Sequence, residues 1–295
     1  MPLSQVVTAG LLRRCARLLA ENGDPAQFVG RTCLRIRRDL QRVVALRAPA
    51  EPVGIRVDGW AGREPQSAVL AKILPEGVAV AEFLCDPPEA RPYPQEAAAV
   101  AGAVPERRLE YATVRHCARL ALTQLGLPPV AVPSGPDRAP IWPADIAGSM
   151  THCTGYRGAA LAPVTLLDSI GIDAEPHEPL PDGLLRLIAR PDELPGLAAL
   201  RSARPDVHWD RLTFSAKESV YKAWYPLVRR WIGFEDASLR FDPVAETFTA
   251  TVHQAGESVA VGPLSVLTGR WRIVRGLLLT AVVVTGQDRR CTGDA

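Results

Sequence analysis

Apolar and polar positions change period along this chain, and the changes mark out its elements. Residues 78–85 have the apolar density of a core strand, and Pro87, Pro88, Pro92 and Pro94 turn the chain after it. Pro105 opens a helix that runs to about Gly126, at a position where the missing N–H of proline has no helical partner to lose. Residues 128–140 form a loop, and 149–153 and 156–162 read as strand. Ser169 to Glu175 is a short buried strand that Pro176 stops. Residues 184–188 start a helix, 190–205 make a connection rich in proline and arginine, and 208 to about 229 form a long helix. Residues 237–241, 247–252 and 277–284 alternate or run apolar as strands, with 270–274 pairing beside the last. Strand, helix and strands therefore occur once before residue 168 and again after it, which predicts an α/β (α+β) fold.

The first 65 residues stand apart. Residues 5–19 and 29–46 have the pattern of arginine-rich amphipathic helices, followed by linker sequence from 48 to 65. Two readings apply: an accessory or disordered extension, or a basic arm for nucleic acid or an acidic partner. The expected organisation is an extension (1–65), a first half (66–168), a second half (169–288) and a tail (289–295).

Charge sharpens this division. The net charge of +2 conceals a surplus of five in residues 1–65, where eleven arginines face six acids, and a deficit of three over the remainder. The main body is therefore not a basic scaffold for nucleic acid. With 47% hydrophobic residues and no apolar run long enough for a bilayer, a membrane span is not expected. The six cysteines are scattered without a C-x-x-C, the pattern of reduced thiols and a cytoplasmic protein.

The candidate chemistry centres on Gly171-Ile172-Asp173-Ala174-Glu175 and Phe214-Ser215-Ala216-Lys217-Glu218-Ser219-Val220-Tyr221-Lys222. Alternate side chains of a strand share a face, so Asp173 and Glu175 point the same way and repel unless a cation intervenes. On the helix, Glu218 and Lys222 are i,i+4 neighbours; Glu218 set against the strand supplies a third carboxylate, with Lys217 and Lys222 flanking it. Three hard oxygen donors favour Mg2+, with Mn2+ equally acceptable to oxygen ligands, and the lysines suit phosphates. Arg108, Arg115 and Arg119 form one basic stripe on the first long helix, either a solvated face or an anion clamp. His116-Cys117 and His152-Cys153 lack the tight spacing of a structural zinc site. No G-x-S-x-G elbow marks an internal nucleophile, so an incoming group attacks directly.

The two stretches resemble the signature of the 4'-phosphopantetheinyl transferases, an acidic G-I-D-x-E strand and an F-S-x-K-E-x-x-x-K helix. The resemblance extends, in order, to residues 110–119, Trp142-Pro143, residues 148–153, Gly155-Tyr156 and residues 221–226, and covers roughly residues 72–285. It is greatest to the actinobacterial enzymes that activate fatty-acid, polyketide and peptide-synthesis carrier proteins.

The resemblance implies two similar, pseudo-twofold-related α/β halves with the site between them, in a monomer. It implies that a carrier-protein serine attacks the β-phosphate of coenzyme A, giving phosphopantetheinyl-serine and adenosine 3',5'-bisphosphate. The acceptors are apo acyl carrier proteins and peptidyl or aryl carrier domains, including those of siderophore assembly. Asp173, Glu175 and Glu218 are expected to hold the metal. Asp173, Glu218 and Lys222 are expected to be catalytic, with Glu218 as the base and Glu175 or a bound water as alternatives. Arg107, Arg115, His152, Lys217, Lys222 and Arg138 are expected to contact coenzyme A. Arg138 is the one cation of a loop where the family pattern has more, because Ser134, Pro136 and Asp137 stand there instead. The rival readings are a Mg2+-dependent phosphohydrolase or nuclease, and a non-catalytic carrier-protein binder.

Overall fold

A computed structural model describes residues 68–135, 137–253, 264–286 and 288. The expected extension over 1–65 and the tail over 289–295 lie outside the described residues. In chain order the elements are β1 (Ala79–Phe83), α1 (Pro94–Ala97), α2 (Pro105–Gln124), β2 (Ile146–Cys153), β3 (Tyr156–Pro163), β4 (Ser169–Pro176), α3 (Leu185–Ile188), α4 (Leu194–Ala203), α5 (Trp209–Val228), β5 (Ala237–Asp242), β6 (Thr247–Val252), β7 (Val266–Val274) and β8 (Leu277–Val284).

The strands form two antiparallel sheets, β1-β3-β2 and β4-β8-β7-β6-β5. One connection rule builds both. A strand leads into a 20-residue helix, and the last strand of the meander after it returns to pair with the first. Thus β3 returns to β1 with Ala79 opposite Leu161, and β8 returns to β4 with Ser169 opposite Val284. The second sheet differs by its additional outer strands, and the mixed α+β class expected from the sequence is what the chain adopts.

Each long helix covers its own sheet. Cys117, Ala118, Ala121 and Leu122 of α2 pack on Ala79, Ala81, Ala159 and Leu161. Leu212, Ala216, Val220 and Trp224 of α5 pack on Phe248, Trp271, Leu278 and Val282. The opposite faces of the sheets share a core, where Ile170, Ile172, Ala174 and Leu279 meet Tyr156, Ala160 and Ala162. Both faces of β4 are buried; Ile170, Ile172 and Ala174 meet the shared core, and the polar Ser169 on the other face is satisfied by donating to the carbonyl of Ala223 at 2.6 Å.

Three details depart from the sequence reading, the first being that β2 begins at Ile146, three residues before the expected start. The expected connection over 190–205 contains a ten-residue helix, α4, whose proline sits in the first turn, where it costs no hydrogen bond. Strand β7 begins at Val266, four residues before the expected start. Among the described residues no helix is long and apolar enough to cross a membrane.

Candidate active site at the junction of the two sheets

The sheets meet edge to edge at β2 and β4 without a backbone ladder between them. The free N–H groups of β4 are satisfied by side chains of β2 instead: Ile172 donates to Ser149 Oγ and Ala174 to Thr151 Oγ1, both at 3.1 Å. Edge strands need such partners, because a buried N–H left unpaired is costly.

Gly171 brings the helix to the strand. A Cβ there would lie 1.9 Å from the carbonyl oxygen of Ser219 and 2.5 Å from the amide nitrogen of Ala223. Only hydrogen leaves room for the α5 backbone to cross so close. The crossing sets the inner stripe of α5 (Arg211, Ser215, Glu218 and Lys222) against β4 and β8; Ser215, for instance, meets Thr280 at 2.9 Å.

Asp173 is gripped from both halves. Its Oδ1 accepts from Lys222 Nζ at 2.8 Å and from Thr151 Oγ1 at 3.2 Å, while Lys222 also donates to the carbonyl of Ile172 at 2.9 Å. Its Oδ2 is buried and has no hydrogen-bond partner. Glu175, on the same face, accepts from Arg211 Nη1 at 2.9 Å. Burial, with Asp173 beside it, pushes the Glu175 carboxyl up to about 8, against the pull of Arg211, and Glu218 adds to the rise. Glu218 is itself only 2% exposed. Three carboxylates thus share a dry region with two cations.

On the β2 side, His152 contacts the Arg107 guanidinium, and its Nδ1 lies 3.7 Å from Glu110 Oε2, which also pairs with Arg107 at 3.1 Å. Burial, then the positive charges of Arg107, Arg157, Lys222 and Arg115, hold the His152 pKa well below its usual value. Cations from α2, β3 and α5 thus act on one imidazole, with Arg107 in direct contact. Such a convergence favours an anion.

The expected site residues divide accordingly. Asp173, Glu175, Glu218, Lys222, His152 and Arg107 come together at the junction, but Lys217 does not. Its Nζ donates to Glu193 at 2.6 Å and to the carbonyls of Ile188 and Phe234 at 2.8 and 2.9 Å, so all three protons serve the interior. The physical reason is helical: one residue from Glu218 means about 100° around α5. Arg115 is also turned inward. It lies over the Tyr111 ring at 3.2 Å and donates to the carbonyl of Val132 and to Ser134 Oγ, both at 3.0 Å, and burial lowers its pKa to about 10. The stripe expected as a solvated face or anion clamp divides: Arg115 and Arg119 are buried, and Arg108 stays on an exposed face. Arg119 is buried against Glu96, and Arg108 donates to the carbonyls of Ala101 and Ala103. Arg138 is exposed at a positive φ of 64°, in a loop that Tyr225 tethers by donating to Asp137 at 2.6 Å. Pro136 lies outside the described residues.

Sequence reading missed Arg211, Ser149 and Thr151. Arg211 precedes Glu218 by seven residues, two turns on the same face; Ser149 and Thr151 are two apart on a strand. Those spacings were readable, but the groups they meet come from distant segments.

The donors suit a hard cation. Among the described residues no three His, Cys, Asp or Glu side chains form a ready metal cluster, and Asp173 and Glu175 are each paired with a protein cation. A buried carboxylate oxygen without a partner is nevertheless unfavourable, and a divalent cation at Asp173 Oδ2 would relieve it.

Comparison with known proteins shows the family. Residues 95–162 match the model of the 4'-phosphopantetheinyl transferase N-terminal domain, and residues 169–262 match that of the 4'-phosphopantetheinyl transferase superfamily. The 4'-phosphopantetheinyl transferase Svp of Streptomyces mobaraensis is 49% identical over 219 residues, which span 73% of this chain and 89% of the relative. PptT of Mycobacterium tuberculosis is 45% identical over 224 residues, 73% of this chain and 98% of its own. Npt of Nocardia iowensis is 46% identical over 222 residues, 72% and 99% respectively. The chain belongs to the 4'-phosphopantetheinyl transferase superfamily and is a transferase that moves the 4'-phosphopantetheine group of coenzyme A onto carrier proteins.

Proposed function

We propose that coenzyme A lies along the β2–β4 junction, its phosphates held by Arg107, Lys222 and His152, with a divalent cation on Asp173, Glu175 and Glu218. A phosphate beside His152 would favour the protonated ring and offset the burial that now opposes it. Mg2+ is the expected ion and Mn2+ its substitute. When bound, the ion polarises the diphosphate and eases departure of the leaving oxygen. The side chains of this chain supply the remainder. Lys222, beside Asp173, neutralises phosphate charge, and Thr151 fixes the carboxylate. Glu218 takes the proton of the carrier serine as its oxygen bonds to the β-phosphorus. The bond from that phosphorus to the adenosine 3',5'-bisphosphate oxygen then breaks, and the pantetheine arm stays on the serine.

The observation that carries this reading is the unpartnered, buried Oδ2 of Asp173 between the two halves. Acceptors of fatty-acid, polyketide, nonribosomal-peptide and siderophore synthesis are proposed, with no nucleic-acid partner. A monomer is proposed because one chain supplies both sides of the junction. Free thiols at Cys85, Cys117 and Cys153 support a cytoplasmic setting. Intact-mass spectrometry of an apo acyl carrier protein with coenzyme A and Mg2+ tests the scheme. The expected result is a gain of one phosphopantetheine that EDTA abolishes and added Mg2+ restores. Asp173→Ala and Glu218→Ala should fold yet lose activity by at least about 100-fold, the scale of removing a transition-state electrostatic group. Undiminished transfer in either variant would refute the metal assignment.

A further inference from the structure

Arg211 lies in the first turns of α5, on the stripe that faces β4. Its side chain is almost wholly buried and donates in three directions: Nη1 to Glu175 Oε2 at 2.9 Å, Nε to the carbonyl of Glu178 at 3.2 Å and Nη2 to the carbonyl of Pro179 at 3.0 Å. Its neighbour Asp210 accepts from the Leu180 amide at 2.7 Å. The start of α5 therefore grips the segment that follows β4 from both sides. Two backbone carbonyls set the plane of the guanidinium, and the remaining prong meets a carboxylate. A lysine would match the charge but not the planar fork.

We propose that Arg211 is a positioning residue for the transfer reaction, fixing the Glu175 carboxylate in the orientation in which it serves the divalent cation. This rests on the assignment of that cation to Asp173, Glu175 and Glu218. The alternative role, a clamp on residues 178–180 alone, would require only the carbonyl bonds. The Nη1 bond goes instead to the side-chain carboxylate of Glu175, on β4 itself. Groups that orient metal ligands commonly change affinity about 10- to 100-fold when removed.

The test is direct Mn2+ binding to the full chain, monitored by electron paramagnetic resonance without coenzyme A or carrier protein, so that the readout is not activity. Arg211→Gln should weaken Mn2+ about 10- to 100-fold and Arg211→Lys about tenfold, with the KM for coenzyme A unchanged at saturating Mn2+. If Arg211→Gln fails to fold, Arg211→Lys carries the test. In a Glu175→Gln background, Arg211→Lys should have no further effect on Mn2+, because it acts through that carboxylate. A lowered unfolding midpoint with unchanged Mn2+ affinity would overturn the inference and leave a clamp. So would additive effects of the two substitutions. Asp173→Asn separates the two levels of the proposal. If it weakens Mn2+ while Arg211→Lys does not, only the positioning role fails. If wild type shows no saturable Mn2+ binding, or Asp173→Asn leaves it unchanged, the metal assignment and this inference fall together.

Discussion

Lys217 and Lys222 share a helix and a charge, yet the structure gives them opposite surroundings. Lys222 is about a quarter exposed and reaches Asp173, whereas Lys217 is 3% exposed and locked to Glu193. Burial lowers the Lys217 pKa, and Glu193 opposes that drop. Removing one partner of such a buried pair commonly costs about 3–5 kcal/mol, because the other is left charged and dry. Lys217→Ala should therefore lower the unfolding free energy in urea titration by that scale while the folded fraction keeps its KM for coenzyme A. A raised KM with undiminished stability would return Lys217 to a phosphate-binding role. His152 makes a pH prediction. Its folded pKa lies below the usual 6.5, so the unfolded chain accepts a proton that the folded one refuses. The stability it contributes is present above the unfolded pKa and lost as the pH falls below it. Between about pH 7.5 and about pH 5.5, His152→Gln should lose less stability than wild type, measured by chemical denaturation. An equal loss would show that other groups carry the acid sensitivity.

Elements fix what residues cannot. Asp173 and Glu218 are brought to one junction because α5 crosses β4 at Gly171, where the helix backbone occupies the space of a side chain. Gly171→Ala should force α5 away from the strand. Overpacking of this kind costs about 1–3 kcal/mol, occasionally more. Transfer should fall further than stability does, since Glu218 and Lys222 ride on the displaced helix. Circular dichroism and the mass assay on one preparation would show this, and a fully active, fully stable variant would mean the crossing is looser than described. At this scale the sequence was informative. The acidic strand, both long helices and the returning strand β8 were legible, because each has a long periodic pattern or a clear stop such as Pro176. Helix α4 was not, since a short segment dense in proline and arginine has no strong period of its own.

Across the described residues one design is used twice, a helix laid on a sheet whose last strand returns to its first, with the candidate site where the two sheets abut. The curated relatives match about three quarters of this chain and nearly all of their own length. Residues 1–65 are therefore expected to be dispensable for transfer: a chain lacking them should modify apo acyl carrier protein at the wild-type rate. A collapse of activity in the folded truncation would make the extension part of the enzyme.

The sequence by itself determined the periodicities and the faces they create. Asp173 and Glu175 share a face, Glu218 and Lys222 share another, and Pro176 ends the strand between them. Tertiary structure decided what those faces meet. It placed Thr151 and Lys222 on one oxygen of Asp173, gave Glu175 to Arg211, and turned Arg115 and Arg119 of the candidate anion clamp into internal fasteners while leaving Arg108 exposed. The reason is physical. A repeat of two or of 3.6 residues is a local property of the chain, but whether a charged stripe faces water, a ligand or a loop depends on which distant surface closes over it.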